Sequence, residues 1–314
     1  ACGTAVLSNN YSPTNFSDGC GATGTQTVTF SATDECQNSS TANCSRTINI
    51  VDTAPPTIAC PPADLTLECG NPDNAGLITG WLNSATATDN CGAATANNNF
   101  SADNFSDGCG ATGAQTVTFS ATDECQNSST ANCSRTVTIS DNTPPTLTCP
   151  ANDLTLECGN PDNTTLIAGW LATATATDAC GTATVNNNYS LTNFSNGCGA
   201  TGAQTVLFVG IDMCQITSAS SCSRTITISD NTPPIVTCPP NDLTLECNNQ
   251  DNTTLIAGWL ATATATDACG TATGSNNYSP TNFSDGCGAT GAQTVTFTAF
   301  DECQNSSTAT CSRT

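Results

Sequence analysis

Apolar and polar residues alternate along much of the chain, and the alternation returns at a fixed interval. Between positions 52 and 140, Thr57-Ile58-Ala59-Cys60 and Leu65-Thr66-Leu67-Glu68-Cys69 put an apolar side chain on every second residue. That is the period of a strand with one buried face. Leu77-Ile78-Thr79-Gly80-Trp81-Leu82 breaks the period, and its spacing predicts one or two helical turns. Ala85-Thr86-Ala87-Thr88-Asp89 alternates again. An Asn- and Gly-rich loop follows through Gly110, and then come the strands Gln115–Thr122 and Arg135–Ile139. Seven or so short strands separated by turn residues predict an all-β fold of tandem Ig-like β-sandwich domains, with a short helical turn around the Trp.

The pattern repeats every 89 residues: Trp81, Trp170 and Trp259 keep that spacing, as do Cys2, Cys91, Cys180 and Cys269, and Arg46, Arg135, Arg224 and Arg313. A unit of this length can bury its own core, so the expectation is beads in a row and not a solenoid. The proline pairs Pro55-Pro56, Pro144-Pro145 and Pro233-Pro234 fix φ and remove donors, which marks stiff connectors. On that phase, residues 1–51 are the C-terminal part of one repeat. Residues 52–140 and 141–229 are complete repeats, and 230–314 is nearly complete. The start at Ala1-Cys2-Gly3, in mid-motif, reads as an excerpt from a longer, processed polypeptide.

Composition sharpens this. Only 48 of the 314 residues are Leu, Ile, Val or Phe, and the net charge is -22, a combination that by itself favours disorder. The 22 cysteines point to cross-links in place of a large core, and to an oxidising, extracellular compartment: a cell surface or secreted filament. Twenty-six acids face four arginines, with no lysine and no histidine. Such a surface cannot neutralise phosphate, so nucleic acid is excluded as a partner, and no apolar run is long enough to insert in a membrane. Catalysis lacks a histidine base and a lysine nucleophile, so the chain reads as no enzyme. Lysine–asparagine isopeptide staples are ruled out on the same ground.

The ordered series Pro-Pro-x-x-x-Cys-Pro, Ala-Thr-Asp-Asn-Cys-Gly (87–92), Thr-Val-Thr-Phe-Ser-Ala-Thr-Asp (116–123) and Cys-Ser-Arg-Thr-Val-Thr-Ile (133–139) resembles the hyalin-repeat (HYR-like) family. It is most similar to the six-cysteine version found in tandem in very large bacterial surface and adhesin proteins. The resemblance covers the whole chain; only the Gly-Trp-Leu segment departs from the shorter repeats. It implies Ig-like domains used in adhesion and extracellular architecture.

Six cysteines in a unit allow 15 pairings. Cys109 and Cys125 flank a strand and stand too far apart to bond. Parallel first and last strands would bring Cys60 to Cys133; the second strand and strand 115–122, both ending at the pole where the unit begins, would bring Cys69 to Cys125, which leaves Cys91 with Cys109. The translated copies are Cys149–Cys222, Cys158–Cys214, Cys180–Cys198, Cys238–Cys311, Cys247–Cys303, Cys269–Cys287 and Cys2–Cys20. A competing set pairs Cys69 with Cys91 and Cys125 with Cys133. No cofactor is required on this reading. Asp52, Asp141 and Asp230 in the connectors, with Asp89, Asp178 and Asp267, are candidate calcium ligands, and their alternative role is in Asx turns. Asn15, Asn104, Asn193 and Asn282 are candidate glycosylation sites. The arginines are expected to pair with carboxylates of their own unit, and the threonine stripes to be solvent faces of strands. Near-identical loops favour a structural array: a stiff stalk, fibre or filament whose partners are copies of itself or neighbouring repeats. The alternative is an adhesin whose repeats bind surface glycans or another surface ligand directly.

Overall fold

Alternation of Thr with Val, Ile and Phe produces the longest strands, because β-branched and aromatic side chains pack well on a pleated, half-buried surface. The computed structural model describes residues 3–284, 286, 290–307 and 311–313. Residues 1–51 contain β1 (Ala5–Asn9), β2 (Gly24–Asp34) and β3 (Cys44–Ile50), which form one three-stranded antiparallel sheet. The next repeat holds β4 (Thr57–Ala59), β5 (Leu65–Glu68), α1 (Asn74–Leu82), β6 (Thr86–Thr88), β7 (Ala94–Asn98), β8 (Gly113–Asp123) and β9 (Cys133–Ser140). The third has β10 (Thr146–Thr148), β11 (Leu154–Glu157), α2 (Asn163–Leu171), β12 (Thr175–Thr177), β13 (Ala183–Asn187), β14 (Gly202–Asp212) and β15 (Cys222–Ser229). The last has β16 (Ile235–Thr237), α3 (Asn252–Leu260), β17 (Thr264–Thr266), β18 (Ala272–Asn276), β19 (Val295–Asp301) and β20 (Cys311–Arg313).

Each complete repeat is a sandwich of a two-stranded and a four-stranded sheet. β4 pairs antiparallel with β6, while β5, β9, β8 and β7 lie side by side in that order. It is the second strand, β5, that runs parallel to the last one, with Leu65 beside Val137 and Glu68 beside Ser140. The first strand was expected there. β7 was expected as loop, since Ala94-Thr95-Ala96-Asn97-Asn98 has no apolar period; pairing with β8 along Ala94–Asp123 to Asn98–Phe119 overrides its weak propensity. In the last repeat residues 243–246 do not form a strand.

Contacts divide the chain into two units: residues up to Thr143 together with Ala179–Thr182, and Pro144–Asp178 together with Ala183 onward. In the first, Val117, Phe119 and Val137 are fully buried with Leu67 and Ala85, and Ile78, Trp81 and Leu82 of α1 pack on them. Trp81 stands edge-on to Phe119 at 5.7 Å and donates its indole N–H to the Ala63 carbonyl at 2.9 Å, so its polar tip is satisfied while its body is core. In the second unit Val206, Phe208 and Ile226 are fully buried and Trp170 meets Phe208 at 5.7 Å. The arginines depart from expectation. Arg135 Nε donates to the Pro61 carbonyl at 3.0 Å and Arg224 Nε to the Pro150 carbonyl at 2.9 Å, so they cap backbone oxygens and not carboxylates. The threonines at 173, 175 and 177 face solvent.

With so few large side chains per repeat, each one counts. Phe208→Ala should cost about 3–5 kcal/mol, the usual loss when a buried phenylalanine is truncated. Urea unfolding followed by circular dichroism checks this; a loss below about 1 kcal/mol would show that the disulfides alone hold the sandwich.

Candidate functional site: the disulfide joints

The cysteines sit at strand ends and in the loops beside them, and the 89-residue period sets what each can reach. Cys60 follows β4 and Cys133 opens β9; they are bonded, with Cα atoms 5.9 Å apart, as are Cys149 and Cys222 at 6.4 Å. The other described bonds leave the repeat. Cys69, just past β5, bonds Cys180, 111 residues on, and Cys20 bonds Cys125, 105 residues on. The second unit reproduces both, as Cys158–Cys269 and Cys198–Cys303. Their Cα separations of 5.0–5.6 Å suit a disulfide.

Most of the expected pairings are therefore corrected. Cys69–Cys125 and Cys158–Cys214 give way to Cys69–Cys180 and Cys158–Cys269. Cys91–Cys109 fails because Cys91 is a free thiol, and Cys180–Cys198 fails because the two have other partners. Cys247–Cys303 is replaced by Cys198–Cys303. Cys2–Cys20 and Cys269–Cys287 are replaced by Cys20–Cys125 and Cys158–Cys269; Cys2 and Cys287 themselves lie outside the described residues. Cys238 is disulfide-bonded, and the side chain of Cys311 lies outside the described residues. The physical reason is closure: the count of 15 pairings took each unit as self-contained, whereas a cysteine in a tandem array also meets the next repeat.

Backbone contacts lock the same joints. Ala22 N–H donates to the Cys91 carbonyl at 2.6 Å, Ala111 N–H to that of Cys180 at 2.7 Å, and Ala200 N–H to that of Cys269 at 2.6 Å. So the Cys-Gly-Ala loop of one repeat grips the Asp-x-Cys turn of the following one. Gly110, with φ +59°, makes this approach feasible, because a Cβ there would collide with the Cys180 carbonyl. On the other side Glu68 receives Asn142 N–H at 2.7 Å, Asn142 Nδ2 at 3.0 Å and the Thr143 hydroxyl at 2.8 Å. Glu157 does the same for Asn231 and Thr232. A carboxylate at the end of β5 thus holds the connector that leads into the next repeat, a role its sequence position did not signal.

The candidate calcium ligands are brought together in part. Asp52, Asp89 and Cys91 offer ligand atoms within 4.8 Å of one another, as do Asp230, Asp267 and Cys269, and Glu68, Asp141 and Cys180. In the latter two groups the sulfur is already bonded, to Cys158 and to Cys69, which leaves two carboxylates each. These carboxylates are also occupied in shaping turns. Asp52 accepts from Ala54 N–H at 2.9 Å, Asp89 from Cys91 at 2.7 Å, Asp141 from Thr143 at 3.0 Å, Asp230 from Thr232 at 3.1 Å and Asp267 from Cys269 at 2.6 Å. Two carboxylates are a minority of the six to eight oxygens that calcium takes. Asp178 occupies the equivalent position before Cys180. Asn15, Asn193 and Asn282 are exposed on loops, and Asn104 is exposed at the end of a short 3-10 turn, Ala102–Asn104.

No family model matches the chain. It is similar to two proteins called hyalin: 32% identical over 278 residues to that of Lytechinus variegatus, covering 86% of the chain and 48% of the relative, and 29% identical over 318 residues to that of Strongylocentrotus purpuratus, covering 98% and 24%. The chain thus spans about half the length of one relative and a quarter of the other. Among solved structures, cadherin domains 3–6 of protocadherin gamma B2 align with 92% of the chain and 83% of their own at 13% identity and a TM-score of 0.28. The protocadherin gamma B4 ectodomain aligns with 98% and 61% at 14% identity and a TM-score of 0.29. The chain is an extracellular array of disulfide-rich β-sandwich repeats.

Glu68 and Glu157 are held below the ordinary glutamate range. For Glu68 the largest cause is the Asn142 backbone N–H, then the Asn142 amide and the Thr143 hydroxyl; for Glu157 the Asn231 side chain comes first. A folded pKa below the unfolded one adds stability that is present above the unfolded value and is lost as pH falls through the folded one. Glu68→Gln with Glu157→Gln should therefore lower Tm at neutral pH and not in acid below the carboxylate range. Melting curves across pH test this, and an equal difference at every pH would remove the charged acceptors from the account.

Proposed function

We propose that the chain is part of a structural stalk or fibre in which consecutive repeats are covalently tied, and, on the resemblance of its six-cysteine pattern, that the surface it extends from is bacterial. The observation that carries the reading is that cysteines bond across the repeat period within each unit, at Cys20–Cys125 and Cys69–Cys180 and again at Cys158–Cys269 and Cys198–Cys303. A binding or catalytic domain needs cross-links that hold its own fold. Bonds to the next domain serve the array. In the chain-entropy picture, closing a loop of about 100 residues contributes roughly 4–5 kcal/mol, and each joint carries such loops.

The hyalin similarity and the near-identical loops support the same reading, as repetition suits periodic packing and self-association. The chemistry is non-catalytic: there is neither histidine nor lysine to move protons, and no cofactor is needed to hold the joints. Direct glycan binding is the competing reading, and a glycan array probed with the whole chain separates the two.

Pulling single chains tests the fibre reading. With disulfides intact, domain unfolding should release only short lengths, since the cross-links leave little free chain. After reduction each repeat should release up to roughly 300 Å, its extended contour at about 3.5 Å per residue. Releases of that size in the oxidised chain would show that the joints bear no tension.

A further inference from the structure

One repeat differs from its copies on the outside of the sandwich, and four of its changes run in one direction. Leu207, Val209, Ile211 and Met213 stand where the preceding repeat has Thr118, Ser120, Thr122 and Glu124, and where residues 1–51 have Thr29, Ser31, Thr33 and Glu35. The last repeat keeps Thr296, Thr298 and Glu302 and has Phe300 at the remaining position. A spacing of two puts Leu207, Val209 and Ile211 together on the outward face of β14, while Val206 and Phe208 point into the core. Leu207 is 43% exposed, and Met213, just past the strand, 53%.

In the other copies hydroxyls tie this face together. Thr118 and Ser134 hydroxyls lie 3.3 Å apart, Asn97 Nδ2 donates to the Thr122 hydroxyl at 3.2 Å, and the Ser8–Ser31 and Ser275–Thr298 hydroxyls pair at 2.8 Å. Leu207 and Ile211 take those hydroxyls away from Ser223 and Asn186, the equivalents of Ser134 and Asn97. β14 is an inner strand of the sheet β11-β15-β14-β13, so the apolar strip has polar neighbours on both sides. Thr184 and Asn186 edge it on β13, and Ser223 and Thr225 on β15. Charge is withdrawn as well. Residues 141–229 hold six acids where 52–140 hold nine, with Thr192, Asn196 and Met213 in place of Asp103, Asp107 and Glu124.

We infer that this outward face is a lateral contact between two copies of the chain, laid sheet against sheet about a two-fold axis through Val209. Every complete repeat has a repeat before and after it, so a contact along the array would call for the same residues in each. Residues found in one copy alone meet something outside the array. A strip without charge, rimmed by hydroxyls and an amide that both donate and accept, suits a second copy of itself, because each group then finds a match across the axis. Leu207 of one copy meets Ile211 of the other, two side chains of equal size. A chain of net charge -22 repels its copies, and two approach with least repulsion at the repeat that has shed acids. In naming a lateral partner the contact rests on the self-association that belongs to the fibre reading, but not on the disulfide joints. Four strands about 4.8 Å apart and some eight residues long give roughly 500 Å² per copy, below the ~800 Å² of a standard interface, so the pairing is weak.

Sedimentation velocity of the whole oxidised chain, from about 10 μM to about 1 mM to suit so small an interface, tests this. A monomer–dimer equilibrium that stops at two is the expected result, with carbene labelling of Leu207 and Met213 falling as the dimer fills. The variant Leu207→Thr, Val209→Ser, Ile211→Thr restores the residues that the preceding repeat carries on the same strand, so the sandwich accommodates them. Its association constant should fall at least about tenfold, as central apolar anchors are lost. A chain that stays monomeric throughout would overturn the contact, whether the face is bare or takes another molecule. Equal pairing by the variant, growth beyond the dimer, or protection away from β14 would do so too. None of these outcomes changes the lengths released when single chains are pulled, so this contact and the tied joints fail separately.

Discussion

A cysteine one residue past β5 does not close onto its own repeat. Cys69 reaches Cys180, and around that bond most of the joint is organised: Ala111 N–H meets the Cys180 carbonyl, and Glu68 holds Asn142 and Thr143. Ala179–Thr182 accordingly groups with the residues up to Thr143, away from its neighbours in sequence. A core of seven or eight buried apolar residues per complete repeat, cysteines included, is small for 89 residues, and the cross-links offset that deficit by restricting the unfolded chain. They also explain why the loops are copied so closely. The Cys-Gly-Ala loop and the Asp-x-Cys turn recognise each other across the period, so a change in either must suit both.

Much of the sandwich was legible in the sequence, for local reasons. β5, β8 and β9 alternate strictly, and the helical turn around Trp81 breaks that period with apolar residues at helical spacing. Trp81 as core and Thr173, Thr175 and Thr177 as a solvent face follow from the same pattern. β7 was hidden because Ala-Thr-Ala-Asn-Asn has turn composition, and only β8 beside it makes it a strand. The parallel pairing of β5 with β9 was likewise a matter of topology, which alternation does not encode.

The joint was the least legible part. Composition showed that disulfides must replace core, yet fifteen pairings within a unit left out the pairings between units. One signal was present: the loops around Cys20, Cys109 and Cys198 and the turns before Cys91, Cys180 and Cys269 are nearly identical in every copy, as surfaces that meet across a period must be. The acidic residues were legible as turn formers, since Asp52, Asp89, Asp230 and Asp267 each spend an oxygen on a backbone N–H two residues on. The arginines needed the structure, because carbonyl acceptors such as that of Pro61 leave no mark in a charge pattern.

The most direct test of the account is the disulfide map of the intact, non-reduced chain, read by mass spectrometry of proteolytic peptides. Peptides holding Cys69 joined to Cys180 and Cys20 joined to Cys125, with their copies one period on, are the predicted result. Cys69 joined to Cys125, or Cys91 to Cys109, would close each repeat on itself and contradict an array tied from one repeat to the next.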